Sequence, residues 1–389
     1  MQGPPSLRLT TALVPACFGT VRNPSYTEVL VGSAGGGYPV RVGMGVRAGL
    51  AAAVGEAASS GRCALITDEN VDALWGREVK GLLAAEGIDV VSAPFPAGEA
   101  HKTRGTWAAL TDTLLGAGLG RDSCVVALGG GVVGDVAGFV AATYMRGVPC
   151  VQVPTTTLAM IDASVGGKTA VDHPAGKNLV GAFHAPSAVL ADPVFLTTLD
   201  AGTLAEGFAE AVKHGVILDP AYAEWLGARA GSLLGGSADD VGRAVLRSVE
   251  IKSEVVSADE FEAGRRQILN FGHTIGHAIE LHSGYALAHG CAVAAGMVAE
   301  ARIGEVLGIT APGTAGEIRR LVRAFGLPDF DRGLLRPRRI AGFMTRDKKT
   351  RSGVVHIVRL EAVGRVGSGP GTTVPVPAEE LVRIMEGWS

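Results

Sequence analysis

From about Tyr38, short apolar runs alternate with segments whose apolar residues recur at helical spacing. The apolar runs predict β-strands and the segments between them predict helices. This alternation is typical of β-α-β units and of a parallel sheet covered by helices. The predicted strands are Tyr38–Val42, Cys63–Thr67, Ile88–Ser92, Cys124–Leu128, Val148–Val153 and Ala188–Leu190. The predicted helices between them are Gly45–Ala58, Asn70–Glu86, Arg104–Leu119 and Val136–Tyr144.

After about Asp200 the pattern changes to long helical segments separated by turn-rich breaks, which predicts a second, mainly helical domain. Its predicted helices are Leu204–Ile217, Ala221–Leu234, Asp239–Ser257, Gln267–Leu281, Ala292–Leu307 and Ala378–Trp388, with one late strand at Val354–Leu360. We therefore expect an α/β domain at residues 37–200 and a helical domain at residues 201–389. Residues 1–36 are rich in Gly, Pro and Ser and lack the unbroken apolar run of a secretory signal, so we expect a loose N-terminal extension there.

The composition excludes several classes of protein. Of the 389 residues, 47% are hydrophobic and 19% are charged, which is typical of a soluble globular chain. Lys and Arg number 35 against 38 Asp and Glu, a formal charge of -3 without long runs of one sign, so a nucleic-acid or anionic-membrane partner is disfavoured. The longest stretch without charge or histidine, Gly147–Ile161, is too short and too polar to span a bilayer. Five scattered cysteines without a C-x-x-C pair indicate free thiols in a reducing cytoplasm.

A glycine-rich turn follows the predicted strand Cys124–Leu128. Gly129–Gly131 and Gly134 lie there, directly before a predicted helix. Glycines at such a point let main-chain N–H groups approach a pyrophosphate at the helix N-terminus, where the helix dipole favours negative charge. The ordinary dinucleotide fingerprint places its acidic residue about 20 residues further on. An acid as close as Asp135 therefore favours a variant nucleotide-binding fold, and a plain strand-to-helix turn is the alternative.

Two lysines lie in similarly glycine-rich surroundings. Lys168 follows Gly166 and Gly167, and Lys177 follows Gly176. An ammonium group beside glycines is well placed to meet a phosphate as a point charge. We therefore expect phosphate or pyrophosphate binding here, with a solvated surface loop as the alternative.

Four of the nine histidines fall within seventeen positions, at His273, His277, His282 and His289. His273 and His277 are four apart, so on a helix they share a face, and the glycines beside them would leave room for a ligand. This clustering predicts a metal or catalytic site, although spacing alone does not decide which of the four are ligands. Nitrogen and oxygen ligands suit Zn²⁺, and Glu210, in a nearly uncharged stretch, is a candidate carboxylate.

Taken together, these motifs resemble the 3-dehydroquinate synthases of the sugar-phosphate cyclase group. The resemblance runs from about residue 38 to residue 360 and rests on Gly129–Asp135, Asp162–Asn178, Glu210–Lys213 and Asn270–His277. It implies a Rossmann-like nucleotide-binding α/β domain, a helical metal- and substrate-binding domain, and an active site in the cleft between them. It also implies NAD, a catalytic Zn²⁺ or Co²⁺ ion, and a homodimer.

The resemblance assigns roles to individual residues. The implied metal ligands are Glu210, His273 and His289. The implied NAD contacts are Asp68, Asn70, Glu99, Lys102, Gly130, Gly131, Val132, Val133, Gly134, Asp135, Thr155, Thr156, Lys177 and Thr198. The implied substrate contacts are Asp162, Lys168, Asn178, Lys213, Lys252, Arg266, Asn270, His277 and one lysine of the pair Lys348 and Lys349. Arg146 would reach the phosphate pocket of the neighbouring subunit, and Glu262 and His277 match positions assigned to proton transfer.

The implied reaction converts 3-deoxy-D-arabino-heptulosonate 7-phosphate to 3-dehydroquinate and phosphate in the shikimate pathway. It proceeds by NAD-dependent oxidation, phosphate elimination, reduction and an intramolecular aldol step, so NAD is regenerated. The converging cations would hold a phosphate dianion and a carboxylate. Three alternatives remain: a sister cyclase such as aminodehydroquinate synthase, a metal-dependent alcohol or glycerol dehydrogenase, and a non-catalytic metabolite-binding regulator.

Overall fold

A computed structural model describes residues 20–23, 26–329, 336–344, 353–367 and 371–388. Its centre is an eight-stranded sheet in the order β1-β2-β3-β10-β7-β6-β4-β5, and β8 and β9 form a separate hairpin. The strands are β1 Thr20–Asn23, β2 Tyr26–Val31, β3 Tyr38–Val42, β4 Arg62–Asp68, β5 Asp89–Phe95, β6 Cys124–Gly129, β7 Cys150–Pro154, β8 Lys168–His173, β9 Gly176–Phe183 and β10 Ala188–Ala191.

The six strands from β3 to β5 in this order run parallel, which confirms the predicted α/β architecture. β6 is buried at every position, as expected for a parallel strand covered on both faces. The prediction of a loose extension is wrong for part of residues 1–36. β2 pairs antiparallel with β3, β1 pairs antiparallel with β2, and Val29 and Val31 are buried.

Helices cover the sheet, namely α1 Leu50–Ala57, α2 Glu69–Val71, α3 Arg77–Ala85, α4 Arg104–Gly116 and α5 Gly131–Thr143. A π-helical segment, Asp72–Gly76, joins α2 to α3. From β4 the chain passes to β5 on one side and then returns to β6 on the other side. This reversal makes the carboxyl ends of β4 and β6 a topological switch point, where open α/β sheets bind ligands.

The second half is mainly helical, as predicted. Its helices are α6 Ala201–Leu218, α7 Pro220–Leu234, α8 Ala238–Ala258, α9 His273–His282, α10 His289–Val306, α11 Thr314–Ala324, α12 Pro337–Met344 and α13 Ala378–Glu386. The predicted late strand is two strands, and short pairs form between β11 Val354–Val358 and β14 Thr373–Pro377 and between β12 Leu360–Ala362 and β13 Arg365–Val366. One hydrophobic core joins both halves, because it contains Val40 of β3, Phe208 of α6 and Val249 of α8.

The predicted helix Gln267–Leu281 is interrupted. A 3₁₀ segment, Arg265–Asn270, ends before Gly272, whose φ of 78° breaks the helix, and α9 begins directly after it. A Cβ at Gly272 would lie 2.5 Å from Cγ of Met297, and one at Gly276 would lie 3.1 Å from a main-chain oxygen of α10. The expectation that these glycines leave room for a ligand is therefore wrong. They let α9 and α10 pack in close contact, which brings the histidines of the two helices together.

Two smaller expectations concern cysteines and membranes. Cys63, Cys124 and Cys150 are buried free thiols and Cys291 is a half-buried one, whereas Cys17 lies outside the described residues. Across the described ranges, every helix is too short or too polar to cross a membrane.

Candidate active site

The first part of the site is the edge of the sheet at the carboxyl ends of β4 and β6. Asp68 ends β4, and its side chain accepts a hydrogen bond from Val71 N at the start of α2. Gly130 is the N-cap of α5 and provides no side-chain cap. The N-terminus of α5 therefore presents N–H groups and the positive end of the helix dipole to an anion. The resemblance assigned NAD contacts to Asp68 and to Gly130–Asp135, and the fold brings them to one edge.

The loop after β7 closes against this turn. Thr155 N donates to Gly129 O at 2.9 Å, and a Cβ at Gly130 would lie 3.1 Å from Cγ2 of Thr156. Thr198 lies beyond β10, where its hydroxyl accepts a 3.2 Å hydrogen bond from Trp75 Nε1. The glycine turn is thus enclosed by main chain on one side.

A buried lysine links this edge to the β8–β9 hairpin. Lys102 Nζ lies 2.5 Å from Oδ2 of Asp135 and 2.5 Å from Oδ1 of Asn178. Burial alone would lower the pKa of Lys102, but Asp135 and Glu99 raise it above its ordinary value, so the group is a cation. Asn178, predicted to contact substrate, therefore lies with the residues predicted to contact NAD.

The hairpin also joins the two halves of the molecule through Lys177. Its Nζ lies 3.3 Å from Oε1 of Glu99 on the sheet side and 3.3 Å from Oε1 of Glu280 on α9. It also lies 4.5 Å from the ring centroid of Tyr285, which follows α9. The sequence pattern predicted no element at residues 168–183, so this connection was not foreseen.

The second part of the site is a cluster of three side chains from three helices. Oε1 of Glu210 on α6 lies 3.3 Å from Nε2 of His273 and 3.5 Å from Nε2 of His289, the first residues of α9 and α10. Burial alone would raise the pKa of Glu210, but Lys213 and His273 hold it well below its usual range. The carboxylate is therefore ionised and buried beside two imidazoles, as a divalent cation requires.

Two other sets of nearby ligand atoms overlap with this one among the described residues, namely His277 with Glu280 and His289, and Asp162 with Glu210 and His214. Glu280 is already bound to Lys177, and Asp162 is already ion-paired with Lys252. Oε2 of Glu210 pairs with Lys213, whereas Oε1 faces Nε2 of both His273 and His289. The set Glu210, His273 and His289 therefore fits a metal best, and its two nitrogens and one carboxylate suit Zn²⁺ with an open position.

Next to this cluster, cations surround Asp162. Its Oδ1 lies 2.9 Å from Nζ of Lys252, 3.7 Å from Nζ of Lys213 and 3.5 Å from Nε2 of His214. Burial lowers the pKa of Lys252 to about 8, although Asp162 opposes the shift. Lys213 also pairs with Glu210. The side chains of this region can therefore receive an anion beside the proposed metal position.

The two residues assigned to proton transfer, Glu262 and His277, have different neighbours. Lys168 of β8 pairs with Glu262, and Nδ2 of Asn270 donates to Oε1 of Glu262 at 2.6 Å. His277 is exposed on α9, with its ring centroid 5.4 Å from that of His273. Glu262 is thus held between the ammonium group of Lys168, from the α/β half, and the amide of Asn270, from the helical half.

Arg266 is almost fully buried, at 1% exposure. Its guanidinium donates to Gly166 O at 3.0 Å and to Glu260 O at 2.5 Å. Arg266, predicted to contact substrate, therefore also binds main chain from both halves of the molecule.

Three further predicted positions lie outside these groups. Arg146 is exposed after α5, where it and Met145 have φ values of 69° and 49°. The pair Lys348 and Lys349 lies outside the described residues. His282 does not belong to any metal-ligand set of the described residues, and its ring lies 6.4 Å from that of Phe343.

Sequence reasoning missed Glu280. It lies on α9 seven positions after His273, so helical spacing placed it on the histidine face, which was the available signal. Its carboxylate is buried and accepts from Nδ1 of His289 at 3.3 Å.

A Rossmann-like sheet joined to a helical half is also the architecture of solved sugar-phosphate cyclases. Two solved structures of such enzymes are similar along most of their length. A 2-deoxy-scyllo-inosose synthase solved with carbaglucose-6-phosphate, NAD⁺ and Co²⁺ matches with a TM-score of 0.84 and 26% identity, over 92% of this chain and 99% of that one. The 2-epi-5-epi-valiolone synthase of Streptomyces hygroscopicus, solved with NAD⁺ and Zn²⁺, matches with a TM-score of 0.79 and 27% identity, over 90% and 96%.

Sequence comparisons then define the family. Residues 92–206 match the 3-dehydroquinate synthase N-terminal family, and residues 207–350 match the 3-dehydroquinate synthase C-terminal family. The 3-dehydroquinate synthase of Pelobacter propionicus is 46% identical over 84% of this chain and 89% of its own length. The chain belongs to the 3-dehydroquinate synthase family, which confirms the resemblance found in the motifs.

Proposed function

We propose that the protein converts 3-deoxy-D-arabino-heptulosonate 7-phosphate to 3-dehydroquinate and phosphate, a carbon-oxygen lyase step of the shikimate pathway that leads to chorismate and the aromatic amino acids. One observation carries the proposal. The cluster Glu210, His273 and His289 adjoins the lysines around Asp162, so a divalent ion and a substrate bearing two anionic groups fit side by side. Membership of the family supports the same reaction.

Glu210, His273 and His289 would hold Zn²⁺ or Co²⁺, which supplies a Lewis acid to a substrate oxygen when bound. The fully buried carboxylate of Glu210, whose Oε1 faces Nε2 of both histidines, supports this assignment. Lys213 contacts Glu210 and faces Asp162, so it keeps both carboxylates ionised.

The edge of the sheet would hold NAD, which supplies a reversible hydride acceptor when bound. The N-terminus of α5 would face the pyrophosphate, and Asp68 at the end of β4 and Asn70 in α2 would face a ribose. Lys102, Glu99, Lys177, Thr155, Thr156 and Thr198 surround the same edge. The glycine turn excludes side chains from the main-chain N–H groups, so the phosphates can approach them closely.

The remaining residues would bind and orient the substrate. Lys168, Lys213, Lys252 and Arg266 would neutralise its phosphate and carboxylate, with Asn178, Asn270 and one lysine of Lys348 and Lys349 as polar partners. Glu262 and His277 would move protons. The carboxylate of Glu262 is held by Asn270 and Lys168, so its orientation is fixed before substrate arrives.

The test is a turnover assay of the purified protein with the heptulosonate phosphate, substoichiometric NAD⁺ and Zn²⁺. We expect phosphate and dehydroquinate in equal amounts over many turnovers per NAD⁺. NADH accumulating in step with turnover would instead identify a dehydrogenase, and binding without turnover would identify a regulator. A parallel assay with the amino analogue of the substrate separates this activity from that of an aminodehydroquinate synthase.

We further propose a cytoplasmic homodimer in which Arg146 completes the phosphate pocket of the partner. The exposure of Arg146 directly after α5 supports this role, because its side chain is accessible to a partner. If it is correct, Arg146→Ala and Lys168→Met variants are each impaired alone, but their mixed dimer contains one intact site. Co-expression should therefore restore activity, and failure of the mixed dimer to recover would contradict a role across the interface.

A further inference from the structure

Glu280 lies on α9 between the two parts of the active site and is 3% exposed. Its two carboxylate oxygens have different partners. Oε2 lies 3.3 Å from Nδ1 of His289, and Oε1 lies 3.3 Å from Nζ of Lys177. One buried carboxylate thus contacts both a residue of the metal-ligand set and a residue of the cofactor edge.

The contact with His289 determines what that imidazole can do. Its Nδ1 faces Glu280, whereas its Nε2 lies 3.5 Å from Oε1 of Glu210. An Nδ1–H that donates to a carboxylate fixes the tautomer in which Nε2 carries the free lone pair, and it fixes the ring orientation as well. His273 has a different arrangement, because its Nδ1 lies 3.2 Å from the main-chain oxygen of Phe271. His289 is therefore the ligand candidate whose orientation depends on a charged side chain.

The contact with Lys177 reaches the other half of the molecule. Lys177 lies on β9 and pairs also with Glu99, close to the residues assigned to NAD. The contacts therefore form one continuous series from Glu210 through His289, Glu280 and Lys177 to Glu99. Its members belong to three helices, the hairpin and the segment after β5.

We propose that Glu280 is a positioning residue that orients His289 for the metal and, through Lys177, couples metal binding to NAD binding. The inference rests on the proposed function, because the metal and NAD sites come from it. An outer carboxylate of this kind typically contributes about 10–100-fold to metal affinity. Coupling between two binding sites is reciprocal, so Zn²⁺ should change NAD⁺ affinity by the same factor by which NAD⁺ changes Zn²⁺ affinity.

The experiment compares the full-length wild type with Glu280→Ala, Glu280→Gln and Glu99→Gln. Glu99→Gln is the matched control, since Glu99 also pairs with Lys177 at 3.3 Å but does not contact His289. Zn²⁺ affinity is measured by competition with a chromophoric chelator. The visible absorption spectrum of bound Co²⁺ reports on ligand geometry, and calorimetry gives NAD⁺ affinity with and without Zn²⁺.

We expect Glu280→Ala to lose about 10–100-fold in Zn²⁺ affinity and to show an altered Co²⁺ spectrum. Glu280→Gln should lose less, because its amide oxygen still accepts from Nδ1–H, and it serves if the alanine variant fails to fold. Glu99→Gln should bind Zn²⁺ as the wild type does. The effect of Zn²⁺ on NAD⁺ affinity should disappear in Glu280→Ala.

Two kinds of failure are distinguishable. A wild-type protein that binds neither Zn²⁺ nor Co²⁺ would overturn the proposed function. If the wild type binds Zn²⁺ but a folded Glu280 variant has the same Zn²⁺ affinity and the same Co²⁺ spectrum, this inference alone is overturned. Equal losses of Zn²⁺ affinity in Glu99→Gln and Glu280→Gln would also overturn it, because the contact with His289 would then have no part in the effect.

Discussion

The glycine turn at the cofactor edge and the metal-ligand cluster are built in different ways. At the edge, main chain sets the geometry: Gly130 leaves α5 uncapped, and the loop after β7 packs directly against the turn. In the cluster, buried charges set it, because Glu210 and Lys213 are both nearly inaccessible to solvent. The first region should be sensitive to added atoms. The second should be sensitive to lost charges, since an ion left without its partner in a protein interior is strongly destabilising.

The largest effect should come from removing a ligand of the cluster. His289→Ala should abolish metal retention and turnover together, because only Glu210 and His273 of the set remain. Metal content by atomic spectroscopy and phosphate release by assay check this. His282→Ala is the matched control and should retain both, since His282 lies outside the ligand sets of the described residues. Full activity of the wild type after exhaustive chelation would refute the prediction.

The next effect separates an accessible cation from a buried one. Lys168→Met should lower kcat/KM at least about tenfold with little change in Tm, because its side chain is 49% exposed. Arg266→Met should lower kcat/KM and also Tm, because it leaves the carbonyls of Gly166 and Glu260 without their donors, at about 1–3 kcal/mol each. Kinetics and thermal melts of both variants check this, and near wild-type kcat/KM in both would place the phosphate pocket elsewhere.

At the cofactor edge, an added methyl group should weaken NAD⁺ binding even though no charge is lost. Gly130→Ala places a Cβ 3.1 Å from Cγ2 of Thr156, so either the Thr156 side chain or the turn must move slightly. We expect NAD⁺ affinity to fall roughly fivefold, about 1 kcal/mol, with Zn²⁺ affinity unchanged. In Gly116→Ala the new Cβ meets no atom within 4 Å, so this control should bind NAD⁺ normally. Zn²⁺ affinity is measured without NAD⁺, and a loss of it in Gly130→Ala would show that the substitution disturbs the metal-ligand cluster directly.

The last effect is on stability instead of ligand binding and concerns Glu300 on α10, whose carboxyl group accepts from Gly272 N at 2.8 Å and from Val358 N at 2.6 Å. Burial raises the pKa of Glu300 to about 8, against an ordinary 4.5. The folded protein therefore keeps a proton on Glu300 up to about pH 8, whereas the unfolded chain releases this proton above about pH 4.5. The free energy of unfolding of the wild type should therefore fall as the pH rises from about 4.5 to about 8. Relative to Glu300→Gln, the wild type should lose at most about 1.4 kcal/mol of unfolding free energy per pH unit, as measured by urea unfolding. Parallel pH profiles for the two proteins would contradict it.

The same contrast explains how much of the fold could be predicted from the sequence. The central strands β4, β6, β7 and β10 were predictable because strands buried on both faces are continuously apolar. β1 is fully exposed and β2 only partly buried, so neither produced that signal. The β8–β9 hairpin contains Lys168, Lys177 and Asn178, so it lacks the continuous apolar run from which a strand is predicted.

In the site, the glycine turn was predictable from local order, whereas the choice of ligands needed tertiary contacts. His273 and His277 share a helix face by spacing, but His289 begins the next helix, beyond a loop. Local spacing therefore could not choose between His282 and His289. Glu280 reaches Lys177 across 103 positions, a contact that local periodicity does not encode.

The two N-terminal strands bear on how the protein should be expressed. A recombinant chain begun at residue 37 would lack β2, and β3 would become the border of the sheet with unpaired main-chain groups. Such borders recruit other chains and promote aggregation. The shortened chain would also lose the hydrogen bonds from Gly32 N to Ser257 Oγ and from Ser253 Oγ to Leu30 O, which fasten β2 and the turn after it to α8. An expression vector that retains residues 20–36 would keep both the sheet border and its attachment to the helical half.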